Sequence, residues 1–155
     1  ILACVKIKIM PIGIINNNIR KSSYFNAKEV VSEIHVYDKF SRGLEKIEDF
    51  SHLVVVFWMH LVSQSGRKIL KVHPRHDFSI PLVGVFSTRS PIRPNPIGIT
   101  TVKLIEKDNC KLVVSGLDAL DGTPVLDIKP YLPEKIDVVT LKMPYWVNKP
   151  RTANA

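Results

Sequence analysis

The sequence predicts a mainly β protein of one domain, a small barrel or sandwich with few short helices and no Rossmann sheet. Many short apolar runs contain β-branched residues, and turn signals such as Asp121-Gly122 separate them. The pattern lacks the alternation of strands and helices that a doubly wound sheet requires, and no G-x-G-x-x-G follows a strand. A chain of 155 residues can bury a core without disulfides or metals, so we expect one domain over residues 1–147 and a flexible tail over residues 148–155.

The first part of the chain contains three predicted elements. Residues 5–9 alternate apolar and charged side chains, which is typical of a half-buried strand. Residues 31–37 form a second candidate strand, whose odd-numbered residues share one face. Residues 43–49 are predicted to form one or two helical turns before Phe50.

The longest apolar run is continuous over residues 53–59. Its β-branched residues Val54, Val55 and Val56 favour a strand over a helix. Because the run does not alternate with polar residues, both faces of this strand are predicted to be covered. Residues 69–73 and 82–87 are predicted to form further strands.

Two turns organise the last part of the chain. Residues 97–106 and 111–115 flank the pair Asp108-Asn109, which favours a tight turn and therefore predicts a hairpin. Asp121-Gly122 is a stronger turn signal, and residues 125–129 form the last predicted strand after it.

The chain is basic, with 22 Lys and Arg against 14 Asp and Glu and a net charge of +8. Such a balance attracts polyanions such as RNA, DNA or an anionic membrane, although solubility alone explains it equally well. The cations are spread along the sequence without a polybasic tail, which favours a folded binding face.

The two cysteines and the apolar segments bear on the compartment. Cys4 and Cys110 belong to no C-x-x-C pair or zinc pattern, so we expect two buried thiols in a reducing compartment. The sequence contains no apolar segment long enough to span a bilayer, and residues 1–15 lack the plan of a signal peptide. We therefore expect a cytoplasmic protein with no membrane partner.

Residues 87–101 (STRSPIRPNPIGITT) form the most unusual stretch, and their three prolines predict a stiff, extended loop. Arg89 and Arg93 can each bind a carboxylate or phosphate through two parallel hydrogen bonds. Asn95 offers a donor and an acceptor, and Gly98 allows close approach of backbone. A rigid turn with solvated arginines is the alternative, but the interleaving of these side chains with proline favours a functional site.

Residues 115–124 (SGLDALDGTP) place two carboxylates around a turn. Asp121 precedes Gly122 and is predicted to shape that turn. For Asp118 the residues leave two roles open, turn formation and the binding or deprotonation of a ligand. His60 ends the long strand and can meet a ligand there, although a histidine at the rim of the core is the default interpretation.

His73 and His76 have the spacing H-x-x-H. A metal site needs further ligands with a defined geometry, and Pro74 makes a helix improbable here. We interpret this stretch as a surface loop and predict no metal.

Together, the proline-rich and aspartate-rich stretches resemble one protein family, the TsaA-like or TrmO tRNA methyltransferases. The specific pair is T-R-S-x-x-R-P-N-P-[IL]-G, here residues 88–98, with L-D-x-x-D-G-[TS]-P, here residues 117–124. Supporting segments follow the family's order from about Pro11 to about Pro133: Pro11-Ile12-Gly13, Gly43-Leu44-Glu45, Phe50-Ser51-His52-Leu53, Gly84-Val85-Phe86-Ser87 and Asp127-Ile128-Lys129-Pro130-Tyr131.

The resemblance implies a small β-barrel that acts as a homodimer. It also implies transfer of the methyl group of S-adenosylmethionine to N6 of threonylcarbamoyl-adenosine, beside the tRNA anticodon at position 37. The cofactor contacts carried over by motif are His60, Leu61, Arg89, Ile99, Ser115, Gly116, Leu117 and Asp118. The family's loop after the first strand, usually Pro-Arg-Gln-Gly-like, differs here, and its contacts carry over only by position to Tyr24, Phe25 and Asn26.

The chemistry of methyl transfer suggests roles within this set. The acceptor nitrogen is a poor nucleophile until its proton leaves, so a base is useful, and we assign that role to Asp118. Asn95 and Arg89 are then expected to orient the reactants. Two alternatives stay open: the same chemistry on another acceptor, or a non-catalytic RNA-binding barrel that binds tRNA without the cofactor.

Overall fold

The computed structural model describes residues 6–20, 30–133 and 140–148. Most of the regular structure is β, and the helical segments among these residues are 3₁₀ turns of three to seven residues. The strands are β1 (Gly13–Asn16), β2 (Val31–Val36), β3 (His52–Trp58), β4 (Lys71–Val72), β5 (Val83–Gly84), β6 (Ile97–Asp108), β7 (Lys111–Ser115) and β8 (Pro124–Pro130). The 3₁₀ turns span Asp38–Leu44, Ile47–Asp49, Gly66–Lys68, Pro74–His76, Val85–Ser87 and Tyr145–Val147.

Six of the strands close into an antiparallel barrel in the order β1-β2-β7-β6-β3-β8. The barrel closes where β8 pairs with β1, through Val125 opposite Gly13. The predicted mainly β class, the absence of a Rossmann sheet and the barrel implied by the family resemblance are therefore confirmed.

The interior of the barrel is filled by alternate residues of each strand. In β3, Leu53, Val55 and Phe57 are buried, whereas the intervening residues are half-buried. The prediction that both faces of this strand are covered is therefore wrong, because a strand in a closed barrel turns only one face inward. In β2 the even-numbered residues are the buried ones, so the predicted division of this strand into two faces is confirmed.

The prediction of a strand over residues 5–9 is wrong in the part that the structure describes. Residues 6–10 are exposed and make no strand, and pairing with β2 and β8 begins only at Gly13. Alternation alone cannot make a strand without a neighbour to supply hydrogen bonds. The helical turns predicted at residues 43–49 occur as two 3₁₀ turns, the first of which begins earlier, at Asp38.

Both predicted turns are confirmed. Strands β6 and β7 form a hairpin with Asp108 opposite Lys111, and Asn109 takes a left-handed φ of 50° in the turn. Gly122 takes a φ of 73° in the second turn. The predicted strands at residues 69–73 and 82–87 shrink to the two-stranded ribbon β4-β5.

The described residues fall into two compact units. The first lies within residues 1–60 and 97–131 and contains the barrel. The second lies within residues 61–96 and 132–155 and contains the ribbon β4-β5. The predicted boundary between domain and tail at residue 147 stays a prediction. Within the described parts of the chain, every helix is too short or too polar to cross a membrane.

Gly98 lies opposite Phe57 in the β3–β6 ladder and leaves room for the ring of Phe57. A Cβ added at Gly98 would lie 2.2 Å from Cε2 and 2.4 Å from Cζ of this buried ring. We expected backbone to approach Gly98 closely, but the group that does so is the buried ring of Phe57.

We predict that Gly98→Ala destabilises the barrel by about 1–3 kcal/mol, since Phe57 must leave its position. Gly43→Ala is the matched control, because a Cβ there meets nothing within 4 Å. The measurement is the free energy of unfolding in urea. Equal values for the two variants would contradict this account of Gly98.

Candidate functional site

The connection between β7 and β8 must cross one end of the barrel. These two strands are separated by two others in either direction around the barrel, so they lie on opposite sides. Residues 116–123, here called the crossing segment, join them. The side chains of Leu117 and Ala119 are buried in the core and fix this segment across the barrel end.

Asp118 lies between these two buried anchors and is exposed. Its carboxylate makes no hydrogen bond or ion pair with the residues that the structure describes. Asp121 differs, because its carboxylate accepts a hydrogen bond of 2.9 Å from the backbone N–H of Asn17 and forms an ion pair of 2.5 Å with Arg20. Asp121 thus has a structural role, but its carboxylate binds Asn17 and Arg20 rather than groups of its own turn as predicted. Asp118, in contrast, has acceptor capacity that the described residues leave unused.

Asn17 holds the crossing segment in place, and sequence reasoning missed it. Its Nδ2 donates to the carbonyl of Ala119 and to Oγ of the buried Ser32, both at 3.0 Å. Its Oδ1 accepts from the backbone N–H of Ile19 at 2.9 Å. One amide thus ties the exit of β1 to β2 and to the crossing segment. The available signal was the run Asn16-Asn17-Asn18 directly after an apolar strand.

The residues on either side of positions 21–29 also contact the crossing segment or the end of β7. Arg20 pairs with Asp121, the carbonyl of Val30 accepts a hydrogen bond of 3.3 Å from Gly116, and Val31 pairs with Ser115. Tyr24, Phe25 and Asn26, predicted from the family loop, lie outside the described residues. Their cofactor contacts stay a prediction.

His60 lies beside the C-terminal end of the crossing segment. Its Nδ1 shares a hydrogen bond of 3.3 Å with Oγ1 of the buried Thr123, and its ring is exposed two residues beyond β3. The barrel unit therefore brings His60 together with the crossing segment. Ile99 lies on the outward face of β6, opposite Val56.

The N-terminal end of the crossing segment has an open backbone. Gly116 has a φ of 91°, and a Cβ added there would meet, of the atoms in residues 6–20, 30–133 and 140–148, only the carbonyl oxygen of Thr101, at 3.9 Å. Leu117 is fully buried, so its predicted cofactor contact is restricted to its main chain. Ser115 is half-buried and pairs with Lys103. Apart from its two chain neighbours, no side chain of the described residues lies within 4 Å of the position that a Cβ at Gly116 would take.

Elsewhere in the described part of the first unit, three ionisable groups have shifted pKa values: Glu33, Glu48 and Cys110. The hydrogen bond from Lys107 holds the pKa of the Glu48 carboxyl below its usual value. The hydrogen bond from His35 holds the pKa of the Glu33 carboxyl below its usual value, and Lys111 lowers it further. Burial raises the pKa of the Cys110 thiol, and Asp38 raises it again. Cys110 is half-buried rather than buried as predicted, and its thiol stays protonated at neutral pH. Cys4 lies outside the described residues.

Residues 87–96, here called the proline-rich arm, lie in the second unit, and their two arginines, Arg89 and Arg93, differ in their contacts. Arg93 donates through Nε to the carbonyl of Ser90 at 2.8 Å, and through Nη2 to Thr88 at 2.6 Å and Val85 at 3.2 Å. Its guanidinium therefore stiffens the arm through Nε and Nη2, and the binding of a ligand by Arg93 stays a prediction. Arg89 is exposed, and the described residues offer it no hydrogen-bond or ion-pair partner.

The other residues predicted in this unit are accessible. Leu61 and Asn95 are both exposed. The carbonyl of Pro94 accepts a hydrogen bond of 2.9 Å from Nε of Arg67, which fixes the arm next to Asn95. His73, from the H-x-x-H pair, donates to the carbonyl of Ile80 at 2.7 Å, which gives it a structural role in its loop. Among the described residues no group of three or more candidate metal ligands occurs.

We predict that Arg93→Lys costs about 1–3 kcal/mol of stability, because the ammonium of lysine cannot replace a planar guanidinium that donates hydrogen bonds to three carbonyls. Arg89→Lys is the matched control and should leave stability unchanged within about 0.5 kcal/mol. Thermal and urea unfolding of both variants measure the difference. Equal stability of the two variants would show that Arg93 does not hold the arm.

Comparison with known proteins gives one consistent result. The tRNA-methyltransferase O N-terminal domain family matches residues 19–138. A probable S-adenosyl-L-methionine-binding protein of Methanocaldococcus jannaschii is 40% identical over 130 residues, which cover 83% of this chain and 94% of that protein. The tRNA (adenine(37)-N6)-methyltransferase of Escherichia coli is 40% identical over 112 residues, 68% of this chain and 47% of that enzyme.

The fold is also found in solved structures. The crystal structure of TrmO from P. aeruginosa matches with a TM-score of 0.71 and 30% identity, over 92% of this chain and 62% of that one.

A probable S-adenosyl-L-methionine-binding protein of Archaeoglobus fulgidus is 51% identical over 105 residues, yet the chain spans only 27% of its length. The chain thus spans nearly all of some relatives and less than two thirds of others.

Proposed function

Since the chain belongs to the tRNA-methyltransferase O N-terminal domain family, we propose that it binds S-adenosylmethionine and transfers the methyl group of that cofactor to N6 of an adenosine in tRNA. The observation that carries the proposal is the crossing segment, which presents the unengaged carboxylate of Asp118 between two buried anchors. The names of the M. jannaschii and E. coli relatives support the cofactor and the reaction.

The residues of the barrel end fit such a cofactor chemically. The main chain at Gly116 is open to approach, and the Asp118 carboxylate can accept hydrogen bonds from an amine or a ribose diol. We assign His60, Ile99, Ser115, Gly116, Leu117 and Asp118 to cofactor binding within the barrel unit. From the second unit we assign Leu61 and Arg89, on the strength of the family motif.

When bound, the cofactor supplies an electrophilic methyl group. The chain's own task is to hold the acceptor in line with that methyl and to remove a proton. We assign proton removal from N6 to Asp118, since its carboxylate makes no hydrogen bond with the part of the chain that the structure describes. Arg89 and Asn95 orient the reactants, and both side chains are exposed in the second unit.

The substrate in this proposal is a tRNA anticodon loop. We propose threonylcarbamoyl-adenosine at position 37 as the acceptor, because the motif pair resembles the family that modifies it. The net charge of +8 supports a polyanionic substrate. A homodimer located in the cytoplasm completes the proposal, on the basis of the family and of the substrate.

Asp118→Asn should lower methyl transfer by well over tenfold, about 10²-fold, because the amide cannot take the proton. Because Asp118 is also assigned to cofactor binding, the Kd for S-adenosylmethionine, measured by calorimetry, should rise, but by a smaller factor than turnover falls. Asp108→Asn is the control, an exposed carboxylate in the β6–β7 turn. A turnover within twofold of the unmodified protein would reject Asp118 as the base. A large loss of cofactor affinity would make it a binding residue instead.

The acceptor is tested separately with two tRNA samples, one with and one without the threonylcarbamoyl group. The proposal predicts methylation of the first alone. Equal methylation of both would overturn this choice of acceptor and leave the methyltransferase activity standing. Binding of tRNA without any cofactor binding would overturn the activity itself in favour of a non-catalytic RNA-binding barrel.

A further inference from the structure

Residues 61–96, which connect β3 to β6, concentrate the positive charge of the chain. They contain six lysines and arginines against one carboxylate, a net charge of +5 out of the +8 of the whole chain. The carboxylate, Asp77, accepts from the backbone N–H and the hydroxyl of Ser79 within its own turn. Among the described residues, Lys68 and Lys71 have no carboxylate partner. This connection therefore presents cations with little local compensation.

The same connection exposes two phenylalanines. Phe78 is 82% exposed and Phe86 is 81% exposed, the two highest values among the large hydrophobic side chains that the structure describes. A fully solvated phenyl ring is unfavourable by roughly the transfer free energy of its apolar area. Exposed aromatic rings close in sequence to lysines such as Lys68 and Lys71 are typical of surfaces that stack on nucleic-acid bases.

The ribbon β4-β5 sets the arrangement of these side chains. Phe78 lies in the loop that joins the two strands, and Phe86 lies in the 3₁₀ turn just beyond the opposite end. Lys71 lies between them, opposite Gly84, where an added Cβ would meet nothing within 4 Å. The order along the ribbon is therefore ring, cation and ring, with open space beside the cation.

The loop of Phe78 is held in a defined conformation. The buried side chain of Ile80 anchors it, and the carbonyl of Ile80 accepts a hydrogen bond of 2.7 Å from His73. The ring of His73 lies 5.0 Å from that of Phe78 and is tilted by 53°. Arg75 and His76 both take left-handed φ values, 59° and 56°, which cost energy in residues with a Cβ. The exposure of Phe78 is thus built into a fixed loop.

We propose that residues 61–96 form a face that binds unpaired RNA nucleotides, with Phe78 and Phe86 as stacking platforms and Lys68 and Lys71 as phosphate contacts. The proposal rests on the proposed function only for the identity of that RNA, a tRNA anticodon loop. Bases in a loop are splayed and present a free π-face, whereas a duplex stacks its bases internally. The net charge of +5 selects this occupant over a second copy of the chain, which carries the same charge on the same face.

Fluorescence anisotropy with a fluorescein-labelled anticodon stem-loop RNA tests the proposal on the full chain. Phe78→Ala and Phe86→Ala should each raise the Kd about tenfold, whereas Phe78→Trp should retain the affinity. Ile105→Ala removes an exposed side chain from the barrel and serves as the control. None of these variants should weaken binding to a blunt RNA duplex of equal length by a comparable factor.

The salt dependence of RNA binding tests the phosphate contact proposed for Lys71. Lys71→Gln should reduce the slope of log Kd against log salt concentration by about 0.7, the value for one phosphate contact to a single strand. An unchanged slope together with Kd values within twofold for both phenylalanine variants would overturn the proposal. Sedimentation is run on the same samples, and loss of an oligomer in Phe78→Ala or Phe86→Ala would assign the face to a second copy of the chain and overturn it as well.

The outcome is separable from that of the methyltransferase assay. If the unmodified protein binds the stem-loop through these rings but transfers no methyl group, the RNA face stands and the proposed activity fails. If it methylates tRNA while the phenylalanine variants bind and methylate as the unmodified protein does, the activity stands and the RNA face is wrong.

Discussion

The path of residues 116–123 across the end of the barrel is the constraint from which the site follows. Strands β7 and β8 lie on opposite sides, so their connection has no other short route. Burial of Leu117 and Ala119 converts this route into a fixed cover, and the side-chain amide of Asn17 and the carboxylate of Asp121 attach the cover to the exit of β1. Because Leu117 and Ala119 are buried in the core, Asp118 between them is left on the solvent-exposed side of the segment.

In each unit, one of two residues of the same type makes internal hydrogen bonds and the other makes none with the described residues. The pairs are Asp121 and Asp118 in the first unit, and Arg93 and Arg89 in the second. Asp121 and Arg93 satisfy neighbouring donors and carbonyls, which would cost about 1–3 kcal/mol each if left without partners. Asp118 and Arg89 have no such internal partners among the described residues, so they retain their full capacity for a ligand. A site built this way has stiff supports beside unengaged groups, which is the arrangement that preorganisation requires.

Part of this was predictable from sequence and part was not. The hairpin at Asp108-Asn109 and the turn at Asp121-Gly122 followed from local chemistry, and the motif pair identified the family. The roles of Asn17 and of the guanidinium of Arg93 depend on which carbonyls lie within 3 Å, and those carbonyls are distant in sequence or set by loop geometry. The false strand at residues 5–9 shows the same limit, because pairing partners are a property of the closed barrel.

The most direct test of the account is amide hydrogen exchange with and without S-adenosylmethionine. If the cofactor lies against the exposed side of the crossing segment, exchange should slow at residues 115–119 and near His60 when the cofactor is added, since bound contacts suppress local opening. The turn between β6 and β7, at Asn109 and Cys110, should be unaffected. Slowing at that turn with none in residues 115–119 would contradict the account.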